Sequence, residues 1–343
     1  REQCRCICRL RKAPIFIIVW VFIKMWFRCF TKPANTSALL PICMMTMRKR
    51  YALISAAMRC EKQRGTDMNE LKVKAYELRQ VVLDMIMRSG GGHIGGDFSV
   101  MDILVALYDR MNISPENRED PDRDYFVMSK GHSVESYYAV LADRGFFPTE
   151  QVINEFSAFG SKFIGHPNNK LPGIEMNSGS LGHGLPVCVG IALASRMDGR
   201  KNRVYTVMGD GELAEGSVWE GFMAGGHYKL GNLCAVIDRN GLQISGSTEQ
   251  VMSHEDLEAR VKSFGWHVVW ADGHDYGELN RALDQAQRTA DRPTCIIART
   301  VKGFGGGELM ENKAAWHHHV PTREEYDVIR ARLAAGREAA LHE

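Results

Sequence analysis

One stretch of the chain, residues 203–240, constrains the fold most, because its pattern predicts a strand, a helix and a second strand in succession. Residues 203–208 form an apolar, β-branched run that stops at Gly209, as a buried parallel strand does. Apolar residues at helical spacing cover 217–228, and residues 233–237 form a second apolar run. Because a crossover between parallel strands is right-handed, we expect both strands to end at one sheet edge, where open α/β sheets bind ligands.

Polar residues follow both predicted strands. Asp210 lies within Gly209-Asp210-Gly211, and Asn240 follows the second strand thirty positions later. The flanking glycines let backbone amides approach a phosphate, while a carboxylate and an amide oxygen suit Mg²⁺ or, more loosely, Ca²⁺. The backbone carbonyl of Leu242 is a candidate third ligand. Either short motif alone is more often an ordinary turn, but the pair at this spacing predicts a metal site that holds a diphosphate.

Short apolar strands alternate with helical patterns along residues 68–343. This alternation predicts an α/β fold with a parallel sheet and helices on both faces. We predict helices at 70–88, 100–109, 133–144, 149–158, 185–197, 217–228, 255–264, 276–289 and 323–342, and strands at 124–128, 204–208, 233–237, 267–270 and 294–299. The 343 residues are enough for one large domain of this class or for two smaller ones.

The first 67 residues differ in composition from those that follow. They are basic and hold six of the nine cysteines, and the apolar run 14–27 is interrupted by Lys24. That run is too short for a membrane span, no signal-peptide cleavage site follows it, and no second Cys or His pair has zinc-ligand spacing. A helical pattern opens at Met68, so we interpret Met68 as the initiator and residues 1–67 as a non-native or disordered extension. Retention of Trp20 in the natively expressed protein, measured by intact mass, would contradict this interpretation.

Charge and cysteine usage limit the partners and the compartment. The formal net charge is +2, and the sequence contains no basic stripe or aromatic platform for nucleic acid. The cysteines beyond residue 67, which are Cys188, Cys234 and Cys295, lie in apolar contexts. These features predict a cytoplasmic protein with buried, reduced thiols that binds neither nucleic acid nor membrane.

The pairing of Gly-Asp-Gly with a later Asn resembles the thiamin diphosphate motif, and residues 209–220 are similar to the corresponding segment of transketolases. Further segments resemble transketolase sequences in the same order, at 89–96, 129–132, 165–167, 179–184 and 316–317. The resemblance covers most of the chain beyond Met68 and implies a thiamin-diphosphate-binding fold.

The resemblance also implies a cofactor site at the predicted sheet edge. In transketolases a divalent ion clamps the diphosphate of thiamin diphosphate, and here Asp210, Asn240 and the carbonyl of Leu242 match its ligands. Mg²⁺ is the expected ion and Ca²⁺ the alternative. The matching cofactor-binding positions are His132, Gly179, Leu181, Gly211, Glu215 and Asn240. Of these, His132 would contact the diphosphate end, and Glu215 would lie at the contact between subunits and couple two active sites.

Three further histidines match catalytic positions of transketolases. His93 and His317 resemble the pair that handles the proton of the donor's C3 hydroxyl, and His166 resembles the residue that binds the C1 hydroxyl or carbonyl oxygen. Histidine suits these tasks because its pKa lies near neutrality. His183 stands where many relatives carry Gln, and His318 where the usual residue is Gly. The side chain of His318 either fills space near the donor sugar or points outward as a solvated loop residue.

The sequence accounts for the diphosphate-binding half of a transketolase. The family also requires a pyrimidine-binding domain with a glutamate that activates the cofactor, whereas after Pro321 this sequence predicts one charged helix. The resemblance therefore implies the N-terminal subunit of a split transketolase, inactive on its own, which acts on sugar phosphate substrates together with a separate C-terminal subunit. We expect two copies of each subunit, because in the family the cofactor lies between domains of different chains.

Three alternatives stay open. An α subunit of a 2-oxoacid dehydrogenase shares Gly-Asp-Gly and the later Asn but is not expected to match at the four histidines. A deoxyxylulose-phosphate synthase shares several segments but is normally a longer single chain. A non-catalytic module that binds thiamin diphosphate belongs to a different class, and a neighbouring gene that encodes the pyrimidine-binding half would argue against it.

Overall fold

The structure is a computed structural model that describes residues 66–343. The interpretation of residues 1–67 as an extension therefore falls almost entirely outside the described residues. The first helix begins at Met68, where Asp67 caps it by accepting a hydrogen bond from the backbone N–H of Asn69 at 3.0 Å. None of the helices in this range is long and apolar enough to span a bilayer.

Strands and helices alternate through the described residues. The strands are β1 (Tyr125–Met128), β2 (Val204–Gly209), β3 (Leu233–Arg239), β4 (Leu242–Gln243), β5 (Gly246–Ser247), β6 (His267–Asp272) and β7 (Thr294–Arg299). The helices are α1 (Met68–Ser89), α2 (Ile94–Arg110), α3 (Val134–Asp143), α4 (Thr149–Glu155), α5 (Gly184–Met197), α6 (Gly216–His227), α7 (Thr248–Met252), α8 (Leu257–Ser263), α9 (Tyr276–Arg288) and α10 (Arg323–Leu341). Short 3₁₀ turns at Gly131–Ser133, Gly211–Ala214 and Ala314–His317 each carry a residue of the predicted site.

Five parallel strands form the main sheet, in the order β1-β2-β3-β7-β6. β2 and β3 are neighbours, and Gly209 at the end of β2 lies opposite Asp238 near the end of β3. The predicted strand–helix–strand unit is therefore present, with α6 as its crossover, and both strands end at one edge. The expected α/β fold with a parallel sheet is confirmed.

Alternate residues of each strand face opposite layers of helices. In β3, Cys234 and Val236 belong to the apolar cluster that includes α1, α2 and α3, whereas Ala235 and Ile237 belong to the cluster that includes α5, α6 and α8. Because helices cover both faces, nearly the whole strand is buried, which explains its continuous apolar sequence. α10 packs against α1 in the first of these layers.

The start of α2 differs from its prediction. The helix begins at Ile94, six residues earlier than predicted, and contains Gly95 and Gly96. Both glycines allow close packing, because a Cβ on Gly95 would lie 2.6 Å from the carbonyl oxygen of Trp316 and one on Gly96 would lie 2.9 Å from Ser133 Oγ. These two glycines, which lie outside the predicted helix, are therefore contact points for segments distant in the sequence.

Smaller elements also differ from the prediction. α4 ends at Glu155 rather than at residue 158, because the nearby Ser157 adopts a positive φ of 55° that does not continue a helix. The antiparallel pair β4–β5 and the helix α7 were not predicted. Each is too short for hydrophobic periodicity to reveal it.

Candidate active site

The segments that follow β2 and β3 meet at the carboxyl edge of the sheet. We call residues 209–212 and 240–243 together the metal loops. The carboxylate of Asp210 is buried, and its Oδ2 accepts a hydrogen bond from the backbone N–H of Gly241 at 2.6 Å. Asn240 turns the chain here, with its Oδ1 accepting the backbone N–H of Leu242 at 3.0 Å. The structure thus brings all three predicted metal ligands into one pair of touching loops.

Arg239 fixes the orientation of the Asp210 carboxylate. Its guanidinium donates to Asp210 Oδ2 at 3.0 Å and is itself held by Thr248 Oγ1 at 2.7 Å and Glu249 Oε1 at 2.6 Å. Burial raises the pKa of Asp210 and the Asp238 carboxylate adds to this, while the Gly241 N–H and Arg239 oppose it. The unpredicted helix α7 therefore contributes indirectly, because it supplies two of the anchors for Arg239.

Gly211 leaves room beside the loop that contains Gln243. A Cβ on Gly211 would lie 3.1 Å from Gln243 Cβ, and Gln243 Oε1 is buried with no hydrogen-bond partner among the described residues. An unpaired buried polar atom costs free energy unless a ligand or water satisfies it. These features mark the space beside Gly211 as one that a polar ligand can enter.

Glu212 joins the metal loops to the predicted cofactor loop at 179–184. Its buried carboxylate accepts the backbone N–H of Gly182 at 2.8 Å and that of Gly209 at 3.0 Å, and it also accepts the hydroxyl of Ser129. Burial raises its pKa, and these three hydrogen bonds act in the opposite direction. Sequence reasoning missed this residue, although its position next to Gly211 in the motif was a signal.

The cofactor loop at 179–184 packs directly on a predicted catalytic histidine. A Cβ on Gly179, whose φ is +144°, would lie 2.8 Å from His166 Cδ2, so a larger residue cannot occupy this position. The carbonyl oxygen of Leu181 lies 3.1 Å from Nδ1 of the exposed His183. Glu215 is exposed, and its Cβ would be 2.7 Å from a Cβ on Gly182.

Four predicted histidines form one group, although they lie far apart in the sequence. The ring centroid of His93 is 5.3 Å from that of His132, 6.1 Å from that of His166 and 5.7 Å from that of His317. The ring of His318 is closer still, at 4.6 Å from His93. We call these five residues the histidine cluster. The ring of His318 thus lies beside His93, as the first possibility requires, while the residue itself is exposed to solvent, as the second requires.

The imidazoles of His93, His132, His166 and His317 are held in the neutral form. Burial, with nearby histidines and lysines, lowers the pKa of His93 to about 4. Burial and Lys302 lower the pKa of His317 to about 3, and burial also takes the pKa of His132 well below its usual value and lowers that of His166. At neutral pH these rings can therefore accept protons or hydrogen bonds.

Two buried lysines that the sequence reasoning missed supply positive charge. Lys302 Nζ lies 2.9 Å from His317 Nδ1 and 3.4 Å from the carbonyl oxygen of Leu242, and burial followed by repulsion from Lys130 lowers its pKa to about 8. Lys130 Nζ donates to the Gly96 carbonyl at 3.0 Å and to Asp238 Oδ2 at 2.5 Å. Both lysines closely follow strands β7 and β1, so examining every strand end would have found them.

His319 has a structural role at the start of α10. Its Nε2 lies 2.7 Å from Glu325 Oε2, and its ring lies edge-on to Trp316 with centroids 4.4 Å apart. Glu325 also completes the capping box with Thr322. The three consecutive histidines therefore point in different directions.

Comparison with known proteins identifies the family. The sequence profile of the transketolase thiamine diphosphate binding domain matches residues 71–340. The chain is 45% identical to an apulose-4-phosphate transketolase subunit of Phocaeicola vulgatus over 75% of this chain and 91% of that one. It is 40% identical to the 6-deoxy-6-sulfo-D-fructose transketolase subunit SqwG of a Clostridium species, over 77% and 96%.

Solved transketolases share the fold. The Pichia stipitis enzyme in complex with sedoheptulose-7-phosphate superposes with a TM-score of 0.70 at 28% identity, covering 80% of this chain and 45% of that one. The Campylobacter jejuni enzyme gives 0.71 at 27% identity, covering 81% and 48%. This chain thus spans slightly less than half the length of these solved chains, whereas it matches nearly the full length of the two transketolase subunits named above. It belongs to the transketolase family and corresponds to the N-terminal, thiamine diphosphate binding subunit of a split transketolase.

Proposed function

We propose that this subunit, together with a separate C-terminal subunit, transfers a two-carbon ketol unit from a ketose phosphate donor to an aldose acceptor. The observation that carries the proposal is the meeting of the metal loops, the cofactor loop and the histidine cluster at one sheet edge. Two similar proteins are named for apulose-4-phosphate and 6-deoxy-6-sulfo-D-fructose. These names support sugar phosphates or sulfo-sugars as the donor or acceptor substrates. Within the part of the chain that the structure describes, Cys188, Cys234 and Cys295 are buried and free, which supports a reducing, cytoplasmic setting.

The donor atoms of the metal loops fit a hard divalent cation. Asp210, Asn240 and the carbonyl of Leu242 offer oxygen alone, and one carboxylate leaves positions for water and phosphate oxygens, as Mg²⁺ prefers. In residues 66–343 no group of three or more His, Cys, Asp or Glu side chains is arranged around a metal position. We assign Mg²⁺ to Asp210, Asn240 and the carbonyl of Leu242 because all three donor atoms are oxygen, with Ca²⁺ as the alternative ion.

Groups beside the metal loops fit a diphosphate. Lys302 supplies a positive charge beside Leu242, His132 supplies a ring nitrogen next to His317, and Gly211 leaves space for close approach of a phosphate. When bound, thiamin diphosphate supplies the nucleophilic carbon and the electron sink for breaking a carbon–carbon bond. The cofactor loop contributes Gly179 and Leu181.

The hydrogen bonds and contacts of the histidines favour a different role for each of them. Because Lys302 donates to His317 Nδ1, the neutral ring carries its proton on Nε2 and donates there to a substrate oxygen. His93 Nδ1 is buried and has no partner among the described residues, so it is available to accept the proton of the donor's C3 hydroxyl. His166, beside Gly179, would bind the C1 oxygen.

Exposed apolar side chains support assembly with other chains. On or just after α5 and α6, Val187, Met197, Met223 and Tyr228 are 37%, 78%, 56% and 44% exposed. Exposed apolar side chains of this size favour burial against protein. We propose an α2β2 assembly in which these side chains and the exposed Glu215 lie near subunit contacts.

Reconstitution tests the proposal. The full chain is co-expressed with the product of the neighbouring gene, and two-carbon transfer is measured over a panel of ketose phosphates and aldoses with thiamin diphosphate and Mg²⁺. We expect transfer by the complex and none by either of the two proteins in isolation. Mg²⁺-dependent cofactor binding without transfer from any donor would support the non-catalytic module instead.

A further inference from the structure

Two fully buried carboxyl groups lie beneath the segment that carries His93. Asp97 is in the first turn of α2 and Glu135 is in the first turn of α3, and neither residue is exposed to solvent. Glu135 Oε1 accepts the backbone N–H of His93 at 3.1 Å. Asp97 Oδ1 accepts the backbone N–H of Ser136 at 2.8 Å, and Ser136 Oγ donates to the Asp97 carbonyl at 2.8 Å.

The second oxygen of each carboxyl has no conventional partner. Asp97 Oδ2 and Glu135 Oε2 are buried and accept no hydrogen bond from any donor in the described residues. Asp97 Oδ1 is held by the backbone N–H of Ser136, the residue next to Glu135, and each carboxyl group acts on the pKa of the other. Two ionised carboxylates in this position would repel each other. One proton between them would turn the repulsion into a charge-assisted hydrogen bond and satisfy both oxygens.

The surrounding cations do not replace this proton. Lys130 is the cation that acts on Asp97, but its ammonium group is engaged by Asp238 and the Gly96 carbonyl. On the other side of α2, Arg79 donates to Asp102 and to the carbonyl of Phe98. The nearby rings of His93 and His132 are neutral at pH 7, because burial lowers the pKa of each.

We propose that Asp97 and Glu135 share one proton and that this acid–carboxylate pair positions His93. With the proton on either residue, Glu135 Oε1 remains an acceptor for the backbone N–H of His93. Gly92 permits the close approach, because a Cβ there would collide with Glu135 Oε1 and would lie 2.5 Å from Ile86 Cγ1. The pair thus acts on the His93 segment through the backbone and does not touch the substrate.

The electrostatics of the pair agree with this arrangement. Burial raises the pKa of Asp97 to about 7. Burial and the adjacent Asp97 raise the pKa of Glu135 well above its usual value. The two groups titrate as a pair, so one proton is retained at pH values where exposed carboxyl groups have lost theirs.

Amide substitutions test the shared proton in the full chain without any partner. In E135Q the amide nitrogen can donate to Asp97 while its oxygen keeps the His93 contact, and in D97N the amide nitrogen can donate to Glu135. In the double variant two NH₂ groups face each other. We expect each single variant to melt within about 2 °C of the parent and the double variant at least about 4 °C below either. If the decrease in melting temperature of the double variant equals the sum of the decreases of the two single variants, the result would contradict a shared proton.

Infrared spectroscopy provides an independent readout at neutral pH. The parent-minus-E135Q difference spectrum should contain the carbonyl band of one protonated carboxylic acid, and the parent-minus-D97N spectrum should contain the same band. Absence of that band from both spectra would overturn the proposal. Neither this measurement nor the melting series depends on the protein being a transketolase.

The positioning effect, which rests on the proposed function, is tested in the reconstituted enzyme. We expect E135A to lower kcat about 30-fold while E135Q restores it to within about threefold of the parent, because even small misplacement of a catalytic group is costly. Equal kcat values for E135A and E135Q would contradict positioning of His93. Inactivity of the parent complex would instead count against the transferase function and leave the infrared result standing.

Discussion

The metal loops and the histidine cluster are built in opposite ways. The metal loops come from one strand–helix–strand unit whose two ends are thirty residues apart and meet because neighbouring parallel strands share an edge. The histidine cluster draws on segments near residues 93, 132, 166 and 317, which come together through the packing of α2, α3 and several loops. One region follows from local spacing, and the other depends on the whole tertiary structure.

The two regions also differ in charge. Asp210 is a buried acid whose orientation is fixed by a guanidinium and a backbone N–H, which suits a cation ligand. His93 and His317 are held neutral by burial and by nearby histidines and lysines, which suits proton transfer. The comparison predicts that substitutions in the metal loops mainly affect cofactor binding and that substitutions in the cluster mainly affect turnover.

The largest expected effect is that of Asp210→Ala in the assembled enzyme. Removing the carboxylate should weaken Mg²⁺-dependent binding of thiamin diphosphate about 1,000-fold, equivalent to roughly 4 kcal/mol. Isothermal titration calorimetry measures this, with Asp327→Asn on the exposed part of α10 as the control. Unchanged affinity would show that the ion binds elsewhere.

Replacing His93 or His317 by Ala should separate turnover from binding. We expect kcat to fall about 100-fold, since a positioned acid or base typically contributes at least this much, with cofactor affinity unchanged within about threefold. The exposed His227→Ala on α6 is the matched control. If the cofactor were lost while the residual complex turned over normally, the proton-transfer roles would be wrong.

Lys302→Met should affect both regions, because Lys302 Nζ lies between Leu242 and His317. We expect kcat/KM to fall about 30-fold. Removing this cation should raise the pKa of His317 from about 3 toward its ordinary value, so the acid limb of the pH–rate profile should move to higher pH. Lys313→Met, at an exposed position in the same segment, should leave the profile unchanged. An unmoved acid limb in Lys302→Met would contradict the assigned contact.

The smallest expected effect concerns donor choice. His318→Gly removes the ring that lies 4.6 Å from His93 and enlarges the space beside it. We expect the ratio of kcat/KM values between a longer and a shorter ketose donor to change about tenfold, with cofactor affinity unaffected. His319→Gly, which removes a ring packed on Trp316, is the control for loss of a histidine in this segment. An unchanged donor ratio in His318→Gly would remove His318 from substrate recognition.

The sequence predicted most of the sheet because parallel strands buried on both faces carry continuous apolar runs. It failed at the start of α2, where Gly95 and Gly96 lie outside the predicted helix but make close contacts with distant segments. It also failed at β4, β5 and α7, which are too short for a periodic pattern. Family resemblance, rather than spacing, supplied the histidine positions, and the structure shows that those side chains adjoin.

Features that depend on tertiary contacts within the chain could not be predicted from one sequence. Lys302 acquires its position from Leu242 and His317, sixty and fifteen residues away, and a lysine in a loop gives no local sign of burial. Asp97 and Glu135 likewise resemble ordinary helix N-terminal acids, which are common because the helix dipole favours them. Their burial becomes apparent when α2 and α3 are packed together. The roles of the individual site residues stay predictions.

The most direct test of the proposed metal site is the position of the ion in crystals of the assembled enzyme grown with thiamin diphosphate and Mn²⁺ in place of Mg²⁺. Anomalous scattering locates Mn²⁺ without ambiguity between metal and water. We predict one strong peak coordinated by Asp210, Asn240 and the Leu242 carbonyl. A peak bound away from Asp210 and Asn240 would contradict it.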